Sequence, residues 1–201
     1  AEIFPRLCGN PLYYWTQMEL KILFGITEPL CAESADRILE AANKQLKSMT
    51  VRDILQKFKV EYIATTDDAT AALDAHGDYG NTQVRPTFRP DKATDIGKDT
   101  FIPYIKSIGV KSYAELAAWL TSRIAFFDSM GCRLSDHAME YIPFAIGDAS
   151  AVFEKKMNGG ELSAFEIDVF KTALLTVCAT EYTKLGWTMQ LHIGAQRSTS
   201  S

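Results

Sequence analysis

The four cysteines, Cys8, Cys31, Cys132 and Cys178, contain no Cys-x-x-Cys pair and no zinc-ribbon spacing, which excludes a local structural metal knot. The three histidines are equally scattered, and neither His-x-His nor His-Glu-x-x-His occurs. Excess charge is scarce: 21 Lys and Arg against 25 Asp and Glu leave −4. That balance is no footprint for nucleic acid or an anionic membrane. No apolar run approaches the roughly 18 residues of a membrane span. The first residues also lack the charged-then-apolar order of a signal peptide. The expectation is a cytoplasmic protein with no nucleic-acid or membrane partner. What is present is ordinary: 201 residues, 47% hydrophobic and 23% charged, enough for about one domain with a real core. Cys132 and Cys178 lie in apolar segments and read as small core residues.

Residues 1–58 read as a helical region. Leu12, Trp15, Met18 and Ile22 recur at helical spacing from Pro11 to Phe24, and Gly25 supplies the stop. Ile38, Leu39, Ala42, Leu46 and Met49 mark a second amphipathic helix, and Thr50-Val-Arg-Asp53 opens a short third one. Residues 59–201 instead alternate strands with helices. Val60–Thr66, Gln83–Arg89, Cys132–Asp136 and Trp187–Ile193 are the strand candidates. Ser112-Tyr-Ala-Glu115 and Ser163-Ala-Phe-Glu166 read as capping boxes opening long helices. Leu116, Leu120, Ile124 and Phe127 line the first; Phe165, Val169, Ala173 and Val177 line the second. Gly131 and Gly186 stand where left-handed caps are needed.

Strand-then-helix repetition implies parallel strands with right-handed crossovers. A dinucleotide site wants Gly-x-Gly-x-x-Gly after the first strand, and Thr65-Thr-Asp-Asp68 has no glycine, so that reading falls. What remains is α/β: a partial (β/α)8 barrel of about four parallel strands, preceded by the helical region. Strand parity then sorts the polar side chains. With the apolar faces assigned to the helical layer, Arg89, His137 and His192 fall at C-terminal strand ends on the inner side, where barrel enzymes place their chemistry. Each also has a structural reading. Asp67 and Asp68 could cap a following helix, Arg89 could pair with Asp91, and His137 and His192 could be satisfied histidines of the scaffold.

Asn10-Pro-Leu-Tyr-Tyr-Trp-Thr-Gln-Met-Glu-Leu20, Thr65-Thr-Asp-Asp68, Pro86-Thr-Phe-Arg-Pro-Asp-Lys92, Arg133-Leu-Ser-Asp-His137 and Gly186-Trp-Thr-Met-Gln-Leu-His-Ile-Gly-Ala195 occur in this order across nearly the whole chain. Together they resemble the uronate isomerases (glucuronate isomerases), a divergent branch of the amidohydrolase superfamily. The resemblance implies a distorted (β/α)8 barrel with a helical insertion after its first strand, which residues 1–58 fit. It implies interconversion of D-glucuronate with D-fructuronate, or D-galacturonate with D-tagaturonate, through a cis-enediol. Arg89 matches the family's substrate-binding arginine, and His192 matches a fifth-strand histidine that faces a divalent metal in related enzymes. By the same resemblance His192 and His137 are the catalytic candidates, with Asp136 and Asp68 beside Arg89 for the sugar. A zinc ion is the implied cofactor, although the family's first-strand His-x-His and eighth-strand Asp fall outside residues 1–201. The chain thus resembles the central part of such an enzyme, expected to be a homo-oligomer and inactive by itself. Its ending, Arg197-Ser-Thr-Ser-Ser201, departs from the family's pattern. A metal-dependent hydrolase of the same superfamily and a non-catalytic sugar-acid-binding fragment are the alternatives.

Overall fold

A computed structural model describes residues 2–194. Two compact units divide the chain: one runs up to Glu61 and includes Tyr79–Thr82, the other holds Tyr62–Asp78 and the residues from Gln83 onward.

In the first unit the three expected helices form. Helix α1 spans Pro11–Phe24, α2 Ala35–Leu46 and α3 Val51–Lys57. Asn10 caps α1 by accepting the Leu12 N–H, and Gly25 closes it at φ 69°. Thr50 and Asp53 form a complete capping box on α3. The stripe on α1 departs from expectation. The helix follows the spacing, yet Leu12, Trp15, Met18 and Ile22 all lie exposed. Periodicity reports that a face exists; it does not report what covers it.

The strands that follow, all in the second unit except for Tyr79 and Thr82, are β1 (Tyr62–Ala64), β2 (Asp67–Asp68), β3 (Gly77–Tyr79), β4 (Thr82–Arg85) and β5 (Phe88–Arg89). Helices α4 (Asp91–Thr94), α5 (Phe101–Ser107) and α6 (Tyr113–Ser129) lead to β6 (Leu134–Met139). Helices α7 (Ala149–Met157) and α8 (Ala164–Leu185) then lead to β7 (Thr188–Ile193). The sheet that matters runs β2–β5–β6–β7, four strands in sequential order and all parallel. That is the expected partial barrel of TIM type.

Two strands expected to be continuous are interrupted. Val60–Thr66 holds only β1, with β2 following just beyond it, and Gln83–Arg89 is divided between β4 and β5. Pro86 is the physical cause, because it has no N–H to give a central ladder. The register survives the interruption: Ala64 lies opposite Arg85 and Asp67 opposite Phe88, the same offset of 21 residues. Thr65 and Asp67 donate N–H bonds to Arg85 and Thr87 across the gap. β3 is a strand that alternation did not announce.

Helices pack on one face of this sheet. On α6 the expected Leu116, Leu120, Ile124 and Phe127 are all buried. Ser112 accepts the Glu115 N–H, but Glu115 returns its carboxylate to the Lys111 N–H, so the box closes one residue early. On α8 the capping box of Ser163 and Glu166 is complete. The buried face of α8 is rotated from expectation. Phe170, Leu174, Cys178 and Tyr182 point inward with Val169, whereas Phe165 is exposed. The bulkiest residues set the face, and Phe165 sits in the first turn, before the helix meets the sheet. Cys132 and Cys178 are free and fully buried, and burial pushes their thiols up to about 11 and about 12, as core residues require.

Gly131 enters β6 at φ 85°, and a Cβ there would meet Arg85 Cδ at 2.7 Å. Gly186 has φ 69° with open space around it. Gly186→Ala is therefore expected to cost about 1 kcal/mol of strain alone, and Gly131→Ala about 2 kcal/mol because Arg85 must also move. Urea unfolding of the two variants measures the difference.

Candidate functional site

Parallel pairing brings four polar side chains to one row at the C-terminal ends of the strands. Asp68 of β2 lies opposite Arg89 of β5, and Asp136 of β6 lies opposite Gln190 of β7. Phe88 lies opposite Ser135, which places Arg89 beside Asp136. Phe88, Ser135 and Met189 belong to the other, helix-facing side.

The row is held together by charge. Arg89 Nε donates to Asp91 Oδ2 at 2.7 Å, and its Nη1 stands 3.3 Å from Asp136 Oδ2. Asp136 Oδ1 lies 2.5 Å from His192 Nδ1. With Asp136 as acceptor, His192 carries its proton on Nδ1 and leaves Nε2, 3.5 Å from Gln190 Nε2, on a ring that is 55% exposed. The Asp91 pair raises the pKa of Arg89 and keeps the guanidinium charged. Burial pushes the Asp91 carboxyl up against the pull of Arg89. Asp91 also accepts the Ala138 N–H, at 3.4 Å, and so ties β6 to the arginine.

Asp68 belongs to the same row but is already engaged. Its Oδ1 accepts from the N–H and hydroxyl of Thr70 and from Tyr104 Oη, and its Oδ2 stands 3.2 Å from Lys92 Nζ. Burial opposes its charge, yet those Thr70 bonds and Lys92 outweigh it and hold the pKa below the usual carboxylate value. It closes a turn with Thr70 and caps no helix.

His137 does not join the row, which corrects the parity assignment. It lies opposite Leu191, on the helix-facing side, with Nε2 3.3 Å from Tyr182 Oη of α8. The reason is that β6 carries polar residues on both faces. Asp136 takes the inner one, while Ser135 and His137 are buried beneath the helices. Burial lowers the His137 pKa to about 4, with Asp136 resisting and Arg89 assisting. Tyr182 faces it from α8, and Asp91, Asp95 and Lys171 line the cavity beside it. Unfolded, the ring titrates near 6.5. Above pH 6.5 both states are neutral and nothing is lost. Between 6.5 and 4 the unfolded chain takes up the extra proton, and stability falls by about 3 kcal/mol in total. Denaturation of the wild type and His137→Asn at pH 7 and 4.5 isolates this loss, which the variant lacks.

Asp91 is the member of the site that sequence reading left as a structural partner. The signal was its place two residues after Arg89. A cleft of about 350 Å³ lies toward the opposite, N-terminal ends of the strands, between His76, Asp78, Arg85 and Gly131. Among the described residues no group of three His, Cys, Asp or Glu could hold a metal ion. His192 offers one nitrogen, and one imidazole does not make a zinc site. The described residues therefore do not fit the zinc expected from the resemblance. Nor is any described helix long and apolar enough to cross a membrane. The departing Arg197–Ser201 ending lies outside the described residues.

The glucuronate isomerase family matches residues 1–201. The uronate isomerase of Caldicellulosiruptor saccharolyticus is 41% identical over 100% of this chain and 46% of its own length. That of Brachyspira hyodysenteriae is 40% identical over 98% of this chain and 46% of its own length. The crystal structure of uronate isomerase from Thermotoga maritima superimposes with a TM-score of 0.92 at 31% identity, covering 98% of this chain and 47% of that one. Glucuronate isomerase from Caulobacter crescentus shares the fold, with a TM-score of 0.84 at 23% identity, over 98% of this chain and 44% of that one. The chain spans about half the length of the curated relatives it matches.

Proposed function

Because this chain belongs to the glucuronate isomerase family, we propose that its polar row is the sugar-acid end of an aldose–ketose isomerase site. D-glucuronate going to D-fructuronate, and D-galacturonate to D-tagaturonate, are the reactions. The observation that carries this is the unbroken chain of contacts Asp91–Arg89–Asp136–His192 at the strand ends.

The isomerisation moves a proton between C2 and C1 through a cis-enediol. It needs a grip on the substrate carboxylate, help for the oxygens and a base at carbon. Arg89, charged and 29% exposed, is assigned to the carboxylate, for which its planar fork is suited. Asp136 orients His192, and His192 Nε2 is assigned to the sugar oxygens as proton donor and acceptor. Asp68 frames the pocket beside Arg89 through the Thr70 and Lys92 contacts. The base at carbon and the main ligands of a zinc ion are assigned to residues beyond this chain. His192 contributes at most one ligand, and no step here runs through the metal. A cytoplasmic setting is part of this proposal, in keeping with the chain's kinship to uronate isomerases. Tyr141, Ile142, Phe144 and Ile146, all exposed, support self-association as a homo-oligomer.

Residues 1–201 alone are expected to show no uronate turnover, and the same chain joined to the remainder found in its relatives to turn over both uronates. The test is an isomerisation assay of both proteins, each verified by intact mass. Turnover by the 201-residue chain contradicts the assignment of the base beyond it.

A further inference from the structure

His137 is 1% exposed, and among the described residues its Nδ1 has no hydrogen-bond partner. Such a group costs about 1–3 kcal/mol unless something satisfies it. Its other nitrogen meets Tyr182 Oη. Behind the ends of β5 and β6 lies a cavity of about 20 Å³, lined by His137 together with Asp91, Thr94, Asp95, Ala138 and Lys171 among others. That volume is the size of one water, and although Met139, Pro143 and Leu175 make part of its wall, Asp91, Asp95, Thr94 and Lys171 offer the several partners a buried water requires. One wall of the cavity is Asp91, the carboxylate that holds Arg89 Nε.

We propose that His137 is a positioning residue for Arg89, acting through a single buried water that joins its Nδ1 to the Asp91 carboxylate. Asp91 accepts from Arg89 Nε and from the Ala138 N–H, which follows His137 directly in β6. Neither contact fixes the carboxylate from the helix side. A water between Asp91 and His137 Nδ1 supplies that third restraint. Its far wall is closed by Lys171 of α8, which pairs with Asp95 at 3.0 Å. A carboxylate-lined cavity favours the neutral tautomer with its proton on Nδ1, donating to the water while Tyr182 Oη donates to Nε2. His137 thus acts on the substrate end of the site without touching substrate. This deepens the reading of Arg89 as the carboxylate grip and rests on it.

The test compares the wild type, His137→Leu and His137→Asn by NMR of the Arg89 Nε–H. Asn places a polar group near the position of Nδ1, and Leu does not. Hydrogen exchange at Arg89 Nε is expected to quicken about tenfold in His137→Leu, the factor carried by one net hydrogen bond. It is expected to return toward the wild-type rate in His137→Asn. A loss of thermal stability in both variants with unchanged exchange would make His137 merely structural and overturn the proposal. If His137→Leu does not fold, the wild type decides alone: a water cross-relaxation signal at the Ala138 N–H supports the bridge, and its absence overturns it. Failure of the carboxylate reading is separate. It would show as D-glucuronate affinity unaffected by Arg89→Met, whatever the exchange data give.

Discussion

Arg89→Met, in the chain joined to the remainder found in its relatives, is expected to lower kcat/KM for D-glucuronate by about 2–4 kcal/mol, the loss carried by a charge-assisted bidentate pair. The effect has two sources. Methionine removes the fork that grips the sugar acid. It also leaves Asp91 and Asp136 without the cation that stands between them, 2.7 and 3.3 Å away. Like charges left unpaired in a half-buried row repel, so a fall in stability should accompany the fall in activity. Arg89→Lys keeps the charge and should recover only part of the rate, because an ammonium cannot reproduce the planar geometry. Steady-state kinetics on the three proteins, paired with their denaturation curves, separates the two sources. Unchanged kinetics for Arg89→Met would leave Arg89 as a structural ion pair only.

Phe88→Ala should produce the largest loss of stability, about 3–5 kcal/mol. Phe88 is fully buried one residue before Arg89, with its ring 4.9 Å from that of Phe127 and 6.3 Å from those of Tyr182 and Trp187. It therefore joins β5 to α6, α8 and the entry of β7. Phe88→Leu retains most of the volume and should cost about 1–2 kcal/mol, chiefly from the lost edge-on ring contacts. Chemical denaturation monitored at two wavelengths measures both. A loss below 1 kcal/mol for the alanine variant would show that this cluster does not hold the sheet to its helices.

Local signals carried most of this fold because they act over a few residues. The caps at Thr50 and Ser163 mark real helix starts, and alternation in Trp187–Ile193 placed Gln190 and His192 on one face, which strand pairing then sets beside Asp136. Strand end and parity singled out Arg89 and His192, whereas Asp68 and Asp136 entered only through the resemblance, since the parity that turned His137 inward turned Asp136 outward. His137 was misread for a physical reason: a strand buried on both sides does not sort polar from apolar. Ser135 and His137 sit under the helices, where His137 Nε2 meets Tyr182, a tertiary contact that no local pattern reports. The face of α8 failed similarly, since Phe170 and Tyr182 win it by packing against residues distant in sequence, Phe101 and Phe88 among them. Asp91 was visible as a partner of Arg89 but not as the link to Ala138, which exists only once β5 and β6 are paired.

The central claim is that the sugar acid meets the C-terminal ends of β5, β6 and β7. Amide chemical-shift mapping of this chain during a D-glucuronate titration tests it most directly. Saturable shifts are expected to cluster at Arg89, Asp91, Asp136, Gln190 and His192. Shifts gathered instead around His76, Arg85 and Gly131, in the cleft toward the opposite ends of the strands, would contradict it.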